Sequence, residues 1–380
     1  MRDSLLPPLR HGAVTALALA GILAPAALAA ASAAPPSPSP SPEAGRIPFT
    51  ERYQALQHGG IVRAANTSIT CRADQPVPAT ATAACPAVRS GGTGVNGAFD
   101  MTYIDVDQDP NTYNSSRAEV RLPEGSRVSY ARLYWGGNLR VGEQKPPKDN
   151  GRVLIAEPGG EYKEVLADTV VGHRVANGAD AFQASADVTE LVRDSKPGLY
   201  TVAQVNVAKG TSPAGAWGGW TLVVAYENPA DPLRRLSLWD GFEELTPTGE
   251  VDLGKIARRL PTGAGGRAGL VAYDGDRGVS GDTLRLTTTR ATAHGERTAV
   301  TSLTDPADPV DDVLNSTISQ PGETPPDRVP AYANTLGYDS DVFDLARALR
   351  DGGDRLAFRL TSRQDTAWAG AFFVAVDAQR

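Results

Sequence analysis

The chain carries one phrase twice. Ala216-Trp217-Gly218-Gly219 opens an apolar run that closes at Tyr226, and Ala367-Trp368-Ala369-Gly370 opens another at the C-terminus. Trp220 to Tyr226 is rich in β-branched and aromatic residues and ends in Glu227-Asn228-Pro229 and Asp231-Pro232, which predicts a buried strand stopped by a turn. Leu233 to Trp239 reads as its returning partner. Two further blocks echo in the same order. Arg121-Leu122-Pro123-Glu124-Gly125 is matched by Arg259-Leu260-Pro261-Thr262-Gly263, and without a gap Leu133 falls on Val271 and Trp135 on Tyr273. Asp187 falls on Asp344, each heading a short turn; for Asp187 the glutamate three residues on suggests an N-capped helical turn. Three blocks in one order, separated by loops of unequal length, predict an internal duplication.

Helical periodicity is otherwise missing, and the strands are short and punctuated by Gly, Pro, Asn and Asp. The expected class is all-β, two tandem jelly-roll-like β-sandwiches with one short helical turn apiece. The succession of capped turn, alternating strand and buried strand resembles carbohydrate-binding and galactose-binding-like jelly-roll modules, in which a D-x-T-x-L turn precedes a central strand. Residues 47–245 are assigned to the first sandwich, with an N-terminal extension, and 246–380 to the second.

Residues 1–34 have a basic start (Arg2, Arg10, His11), an apolar stretch from Val14 to Leu28 and small-residue cleavage sites, the pattern of a secretory signal peptide. Residues 35–46 form a Pro/Ser linker expected to be extended and unpacked. Export sends Cys71 and Cys85, the only two cysteines, to an oxidising compartment, where the expectation is one disulfide closing a local loop. The net charge of -7 argues against nucleic acid and anionic lipid as partners, and no membrane insertion is expected once the signal is removed.

Three groups of acids could gather oxygen ligands around calcium. Asp105, Asp107 and Asp109 alternate and are the favoured calcium site; Asp274, Asp276 and Asp282 form a second group; Asp339, Asp341 and Asp344 form a third. The alternative is solvated loop acid, with Asp344 capping its turn. An EF-hand pattern fails in the first group because Pro110 stands where its glycine is required. Among the tryptophans, Trp217 and Trp368 read as core, whereas Trp239, alternating outward from Leu236 and Leu238, is the ring expected to be exposed for stacking on a sugar. His58, His173 and His294 show no metal-ligand spacing and no nucleophile-elbow serine, so no catalytic residue is assigned.

Taken together, Tyr113-Asn114-Ser115-Ser116, Ala131 to Gly137, Ala186 to Thr189, Gly219 to Tyr226, Asn315 to Ile318 and Asn334 to Asp339 resemble a family of secreted bacterial surface proteins, common in actinobacteria. Its members carry an uncharacterised β-rich region, often ahead of repeated prealbumin-like modules. The resemblance implies location and architecture, not an activity. The resulting expectation is a secreted, non-enzymatic surface or extracellular protein acting by binding or as a structural element, with a cell-wall or extracellular glycan or protein as partner. A carbohydrate-binding module is the alternative, and an unrecognised extracellular hydrolase comes third.

Overall fold

The buried run at Trp220 lies in a strand of the computed structural model, which describes residues 41–322 and 324–379. Residues 1–34, read as a signal peptide, and half of the Pro/Ser linker, residues 35–40, lie outside the described residues. In chain order the strands are β1 Glu43–Ala44, β2 Ile47–Thr67, β3 Ile69–Cys71, β4 Met101–Tyr103, β5 Ser115–Val120, β6 Arg127–Asn138, β7 Arg152–Ala156, β8 Lys163–Leu166, β9 Val171–Ala176, β10 Ala179–Asp187, β11 Gly198–Ala203 and β12 Gly218–Glu227. They continue as β13 Leu233–Leu245, β14 Glu250–Ile256, β15 Gly266–Tyr273, β16 Thr283–Thr292, β17 Gly295–Leu303, β18 Arg328–Val329, β19 Tyr338–Asp344, β20 Arg355–Thr361 and β21 Ala367–Asp377. Two short helices interrupt them, α1 Cys85–Arg89 in the cysteine loop and α2 Thr189–Arg193.

The expected all-β sandwich class holds, and the strand order is that of a jelly roll written twice. Take β2, β5, β6, β7, β8, β10, β11 and β12 as the eight strands of the first half. One sheet then runs first–eighth–third–sixth and the other second–seventh–fourth–fifth. The strands β13, β14, β15, β16, β17, β19, β20 and β21 repeat both orders. The changeover in strand order falls at the Asn228 to Pro232 turn, so β13 opens the second set.

One strand joins the halves. Gly59 to Thr67 of β2 pair with β12, while the earlier part of β2, up to His58, pairs with β13, making one ten-stranded sheet. This corrects the expected hairpin: β13 does not return along β12, because β2 lies between them. The linker also ends differently from expectation, since Glu43–Ala44 adds to the sheet as a parallel edge beside β9.

Both faces of the long sheet are covered. On β6, Leu133 and Trp135 point into the first sandwich with Trp220, Leu222 and Val224, and Tyr134 points the other way. On the second half, Leu270, Ala272, Phe372 and Val374 face their own core, and Val271, Tyr273, Trp368 and Phe373 face away. The two outward faces stack on each other. Gln183 donates to Gly370 O at 3.1 Å, Tyr273 Oη donates to Gln183 Oε1 at 3.0 Å, and Tyr134 Oη donates to Asp240 Oδ2 at 3.0 Å. The strands that make these contacts are far apart in the sheet order, so the sheet must fold over on itself. Backbones approach closely there: a Cβ on Gly136 would lie 2.5 Å from Phe182 O and 2.9 Å from the Tyr273 ring. The result is a stack of four layers with a shared middle.

Trp217 and Trp368 both sit in that middle, at 0% and 1% exposure. Their positions correspond. Gly218 pairs with Gly137 and Ala369 with Ala272, each tryptophan standing one residue before, so that Trp217 meets Asn138 and Trp368 meets Tyr273. The rest of the gapless alignment is corrected by three residues. Ala186 pairs with Leu133 as Phe343 pairs with Ala268, and Trp220 with Trp135 as Phe372 with Leu270. Leu133 therefore matches Ala268, not Val271, and Trp135 matches Leu270, not Tyr273. The Asp187 and Asp344 match stands: their carboxylates accept the amides of Thr189 at 2.9 Å and Ala346 at 2.8 Å. Only the first copy winds into a helix, α2, whose N-cap is Val188; the second is a turn.

Candidate functional site

The three acidic groups meet different fates. In the first, Ser115 Oγ lies 2.9 Å from both Asp105 Oδ1 and Asp107 Oδ1. Tyr162 donates to the second oxygen of Asp107. Asp109 turns aside and accepts the amide and side chain of Asn111 at 2.9 and 2.8 Å. Burial works to raise the Asp107 carboxyl, but hydrogen bonds from Tyr162, the Asp109 amide and Ser115 outweigh it and hold the group below the ordinary aspartate range. The alternation of acids here builds a turn whose oxygens already have donors.

The second group comes together and recruits acids that sequence reasoning did not include. Asp274 and Asp276 follow β15, Asp282 precedes β16, Asp312 lies in the long connection after β17, and Asp365 lies between β20 and β21. Asp282 is fully buried with neither carboxylate oxygen in a well-formed hydrogen bond, although the Ser362 hydroxyl lies near enough to favour its charged form; Asp312 Oδ1 and Asp365 Oδ2 are unpartnered. Asn96, from the first half, donates its amide to Asp276 Oδ1 at 3.1 Å and its side chain to Asp274 Oδ1 at 3.0 Å. Burial is the main cause that pushes Asp276 up to about 7, Asp282 to about 6 and Asp365 to about 8, and neighbouring carboxylates add to it. Asp274, Asp276 and Asp365 keep part of their surface in water.

The third group divides. Asp344 stays at its turn, exposed. Asp339 and Asp341 are buried and join Asp308, another residue that the sequence did not single out. Thr317 Oγ1 bridges Asp308 Oδ1 at 2.8 Å and Asp341 Oδ1 at 3.0 Å, and Ser319 Oγ donates to Asp308 Oδ2 at 2.5 Å. Burial raises all three carboxyls, and for Asp341 the adjacent Asp339 raises it further. Arg63, 3% exposed on β2, donates to Ser319 O at 2.5 Å and lends positive potential to Asp341 and Asp308. The signal available in the sequence was Asp305-Pro306-Ala307-Asp308-Pro309-Val310-Asp311-Asp312, an acid run in the right half of the chain.

A buried carboxylate without a donor has two chemical recourses, a proton or a hard cation. The donor set is all oxygen, which suits calcium in kind. As the side chains stand, no group of three or more His, Cys, Asp or Glu among the described residues is able to hold a metal ion.

The other expected residues are placed as follows. Cys71 and Cys85 are bonded, with Cα atoms 5.8 Å apart, and pack with Ile69, Val88, Phe99 and Met101. Trp239 corrects the expectation of an exposed ring. It is 5% exposed, lies among the core residues of the second sandwich and meets the Phe372 ring at 6.2 Å. Alternation cannot give an accessible ring in this strand, because the Trp239 face packs into the core of the second sandwich and the Leu238 face into the shared middle layer. His58 Nδ1 contacts Asp231 O at 2.8 Å, His173 lies between Glu43 and Asp180 at 2.9 and 2.7 Å, and His294 sits at the β16–β17 tip. Among the described residues, no helix is long and apolar enough to cross a membrane.

No known family model matches the chain, and no curated protein matches it. Solved structures with some similarity include a mutant VP2 protein of infectious bursal disease virus from derived T=1 particles, 11% identical over 87% of this chain and 72% of that one, with a TM-score of 0.21. Another is the N-terminal tandem CBM22 domain from Paenibacillus barcinonensis Xyn10C, 8% identical over 89% of this chain and 99% of that one, with a TM-score of 0.18. At such scores neither likeness carries an argument about this chain.

Proposed function

We propose that this is a secreted, non-enzymatic surface or extracellular protein, built by internal duplication, that acts by binding or as a structural element. The observation that carries the reading is the shared middle layer. Two jelly rolls joined through one sheet and one buried face form a stiff unit, and open clefts are left at its outer rims, between strand ends and turns. The basic and apolar leader ahead of a Pro/Ser segment supports export, and the single disulfide agrees with it. The histidines serve this reading too: His58 and His173 tie strands and loops together through hydrogen bonds. The test is to express the full chain in a bacterial host and follow it to its destination. Cleavage near residue 34, recovery outside the membrane and sedimentation with envelope material support the reading. Retention in the cytoplasm, or hydrolysis of a panel of ester, peptide and glycoside substrates, overturns it.

Calcium belongs to the same proposal, at the Asp274, Asp276 and Asp282 group. Its support is Asp282, buried with neither oxygen in a well-formed hydrogen bond. Binding would have to draw the neighbouring carboxylates inward, and a calcium-dependent rise in the melting midpoint is the measurement.

A further inference from the structure

The outer end of the second sandwich holds a cleft of about 770 Å³ between the β16–β17 hairpin and the turn after β19. Leu284, Leu286 and Thr288 of β16 point into the core, and the period-two alternation of a strand carries that face on to Arg290. The register sets Arg297 of β17 directly opposite Arg290. Like charges opposed on one face of a sheet repel, so this pair costs stability unless something anionic lies against it. The fold supplies little. Arg290 Nη1 donates to the Asp351 backbone carbonyl at 3.0 Å, and Arg297 forms no ion pair with a described residue. Arg347 and Arg350, exposed on the opposite wall, form none either. Asp351 is the single acid among the lining residues.

Two exposed arginines of β20 are neutralised locally. Arg355 pairs with Glu296, and Arg359 pairs with Glu250 and Asp252. At the corresponding rim of the first sandwich, between β8 and α2, the cleft is lined by Glu164, Asp168, Asp187 and Glu190 with Arg193. What sets this place apart is that four arginines, Arg290, Arg297, Arg347 and Arg350, line one cleft with a single acid among them, in a chain whose net charge is -7. A second cleft of about 310 Å³ shares Arg290 and Asp351 with the first and adds Arg259 and Asp354, so the groove continues past the hairpin with its charges balanced there. No aromatic ring lines either cleft, and Thr288 and Thr301 are among the residues lining the larger one.

We propose that this track binds an acidic polysaccharide. Guanidinium forks match carboxylate and sulfate oxygens two at a time, which a lone hydroxyl lining cannot do. A basic cleft that runs on into a second, charge-balanced one suits a chain of charged sugars better than a single small anion. With no ring to stack on a pyranose, charge has to drive the binding. Neutral glycans are then excluded, and affinity falls as salt screens the arginines. The proposal rests on the reading of the protein as an extracellular binder.

Affinity electrophoresis of the exported full-length chain through gels holding polygalacturonate, heparin, neutral dextran or duplex DNA tests it. Polygalacturonate carries carboxylate and heparin carries sulfate as well, so the two arms separate the anion sources. The wild type should be retarded by at least one of them, not by dextran, and less as salt rises. The double variant Arg297→Ser/Arg347→Ser should bind at least ~10-fold more weakly with an unchanged melting midpoint. Arg297→Lys/Arg347→Lys keeps charge without the fork and should fall between the two. Arg127→Ser, on the first sandwich, should bind as the wild type does. An unretarded wild type, a Ser variant that binds as tightly as the wild type, or DNA bound as tightly as polysaccharide overturns the proposal. Envelope sedimentation separates this failure from the broader one. A wild type that sediments with envelope but ignores every acidic polysaccharide ends this inference and leaves the extracellular reading standing.

Discussion

The two sandwiches have the same strand order and dispose of their acids in opposite ways. In the first, Asp105, Asp107 and Asp109 stay near the surface and accept hydrogen bonds from Ser115, Tyr162 and Asn111. In the second, Asp282, Asp308, Asp339 and Asp341 are fully buried, and Asp282, Asp339 and Asp341 keep oxygens outside any well-formed hydrogen bond. The strands do not cause this, because they correspond pair by pair. The cause is the connection between the fifth and sixth strands. In the second half it is the long segment 304–337, which folds back over β15 and β19 and carries Asp308 and Asp312 with it. A jelly roll fixes where side chains of its strands go, and its long connections are free to build something different in each copy.

The largest effect should come from pH. Carboxyls raised above their unfolded values favour folding at low pH, and that contribution is lost as pH rises through the folded values. For Asp282, Asp276 and Asp365 the window runs from about 4 up to about 6, 7 and 8. At about 1.4 kcal/mol per unit, shared among coupled sites, the loss between pH 4 and pH 8 is on the order of 5 kcal/mol. Thermal melts in chelator should show a midpoint falling over that range. Asp282→Asn should flatten the fall and raise the midpoint at pH 8. His173, raised by Glu43 and Asp180 against the effect of burial, titrates in the same direction, so His173→Gln is the control. A midpoint that does not change, or that rises with pH, would break the contrast between the halves.

Next come the paired tryptophans. Trp217→Ala and Trp368→Ala each remove a fully buried ring from the shared middle layer and should cost about 3 to 5 kcal/mol in denaturant unfolding. Near-equal values would confirm that the positions are equivalent. A cost under about 1 kcal/mol for either would break the correspondence. The disulfide should rank third and belongs to the first half alone. Cys71→Ser/Cys85→Ser opens a loop of sequence separation 14 and should cost about 3 kcal/mol. Losing the disulfide should leave the pH dependence of the second sandwich intact, and a change in that dependence would tie the two regions together.

The sequence revealed these features unevenly. The tryptophan echo was readable because both rings occupy one position in the repeat. The gapless match around Trp135 was not, because three fewer residues separate the second RLPxG turn from the corresponding strand positions, and only the ladders show where they drop out. Trp239 was misread for a physical reason: alternation tells which residues share a face, not whether another layer covers it. The insertion of β2 between β12 and β13 depends on pairing residues far apart in the chain, and nothing near Leu233 signals it. The buried acids were visible as a type in Asp274, Asp276 and Asp282. Their union with Asp312 and Asp365 depends on how a long connection folds back, which carries no periodic signal.

The smallest effect sharpens the comparison from the other side. Ser115 Oγ holds the Asp105 and Asp107 carboxylates together and accepts the Val106 amide at 2.9 Å. Ser115→Ala removes these bonds at the start of β5 and should cost about 1 kcal/mol at neutral pH. Because the Asp107 carboxyl is held below its unfolded value, its contribution is present above about pH 4 and is lost as pH falls through the folded value. The cost of Ser115→Ala should therefore shrink toward pH 3, the reverse of the trend for the second sandwich. Calcium distinguishes the regions again. Its ions would have to displace donors already in place at Asp105 and Asp107, whereas neither oxygen of Asp282 is held in a well-formed hydrogen bond. If melting midpoints rise with millimolar calcium, Asp282→Asn should remove the rise and Asp105→Asn should leave it. The opposite pattern would move the cation to the first sandwich and make Ser115 a placeholder for it.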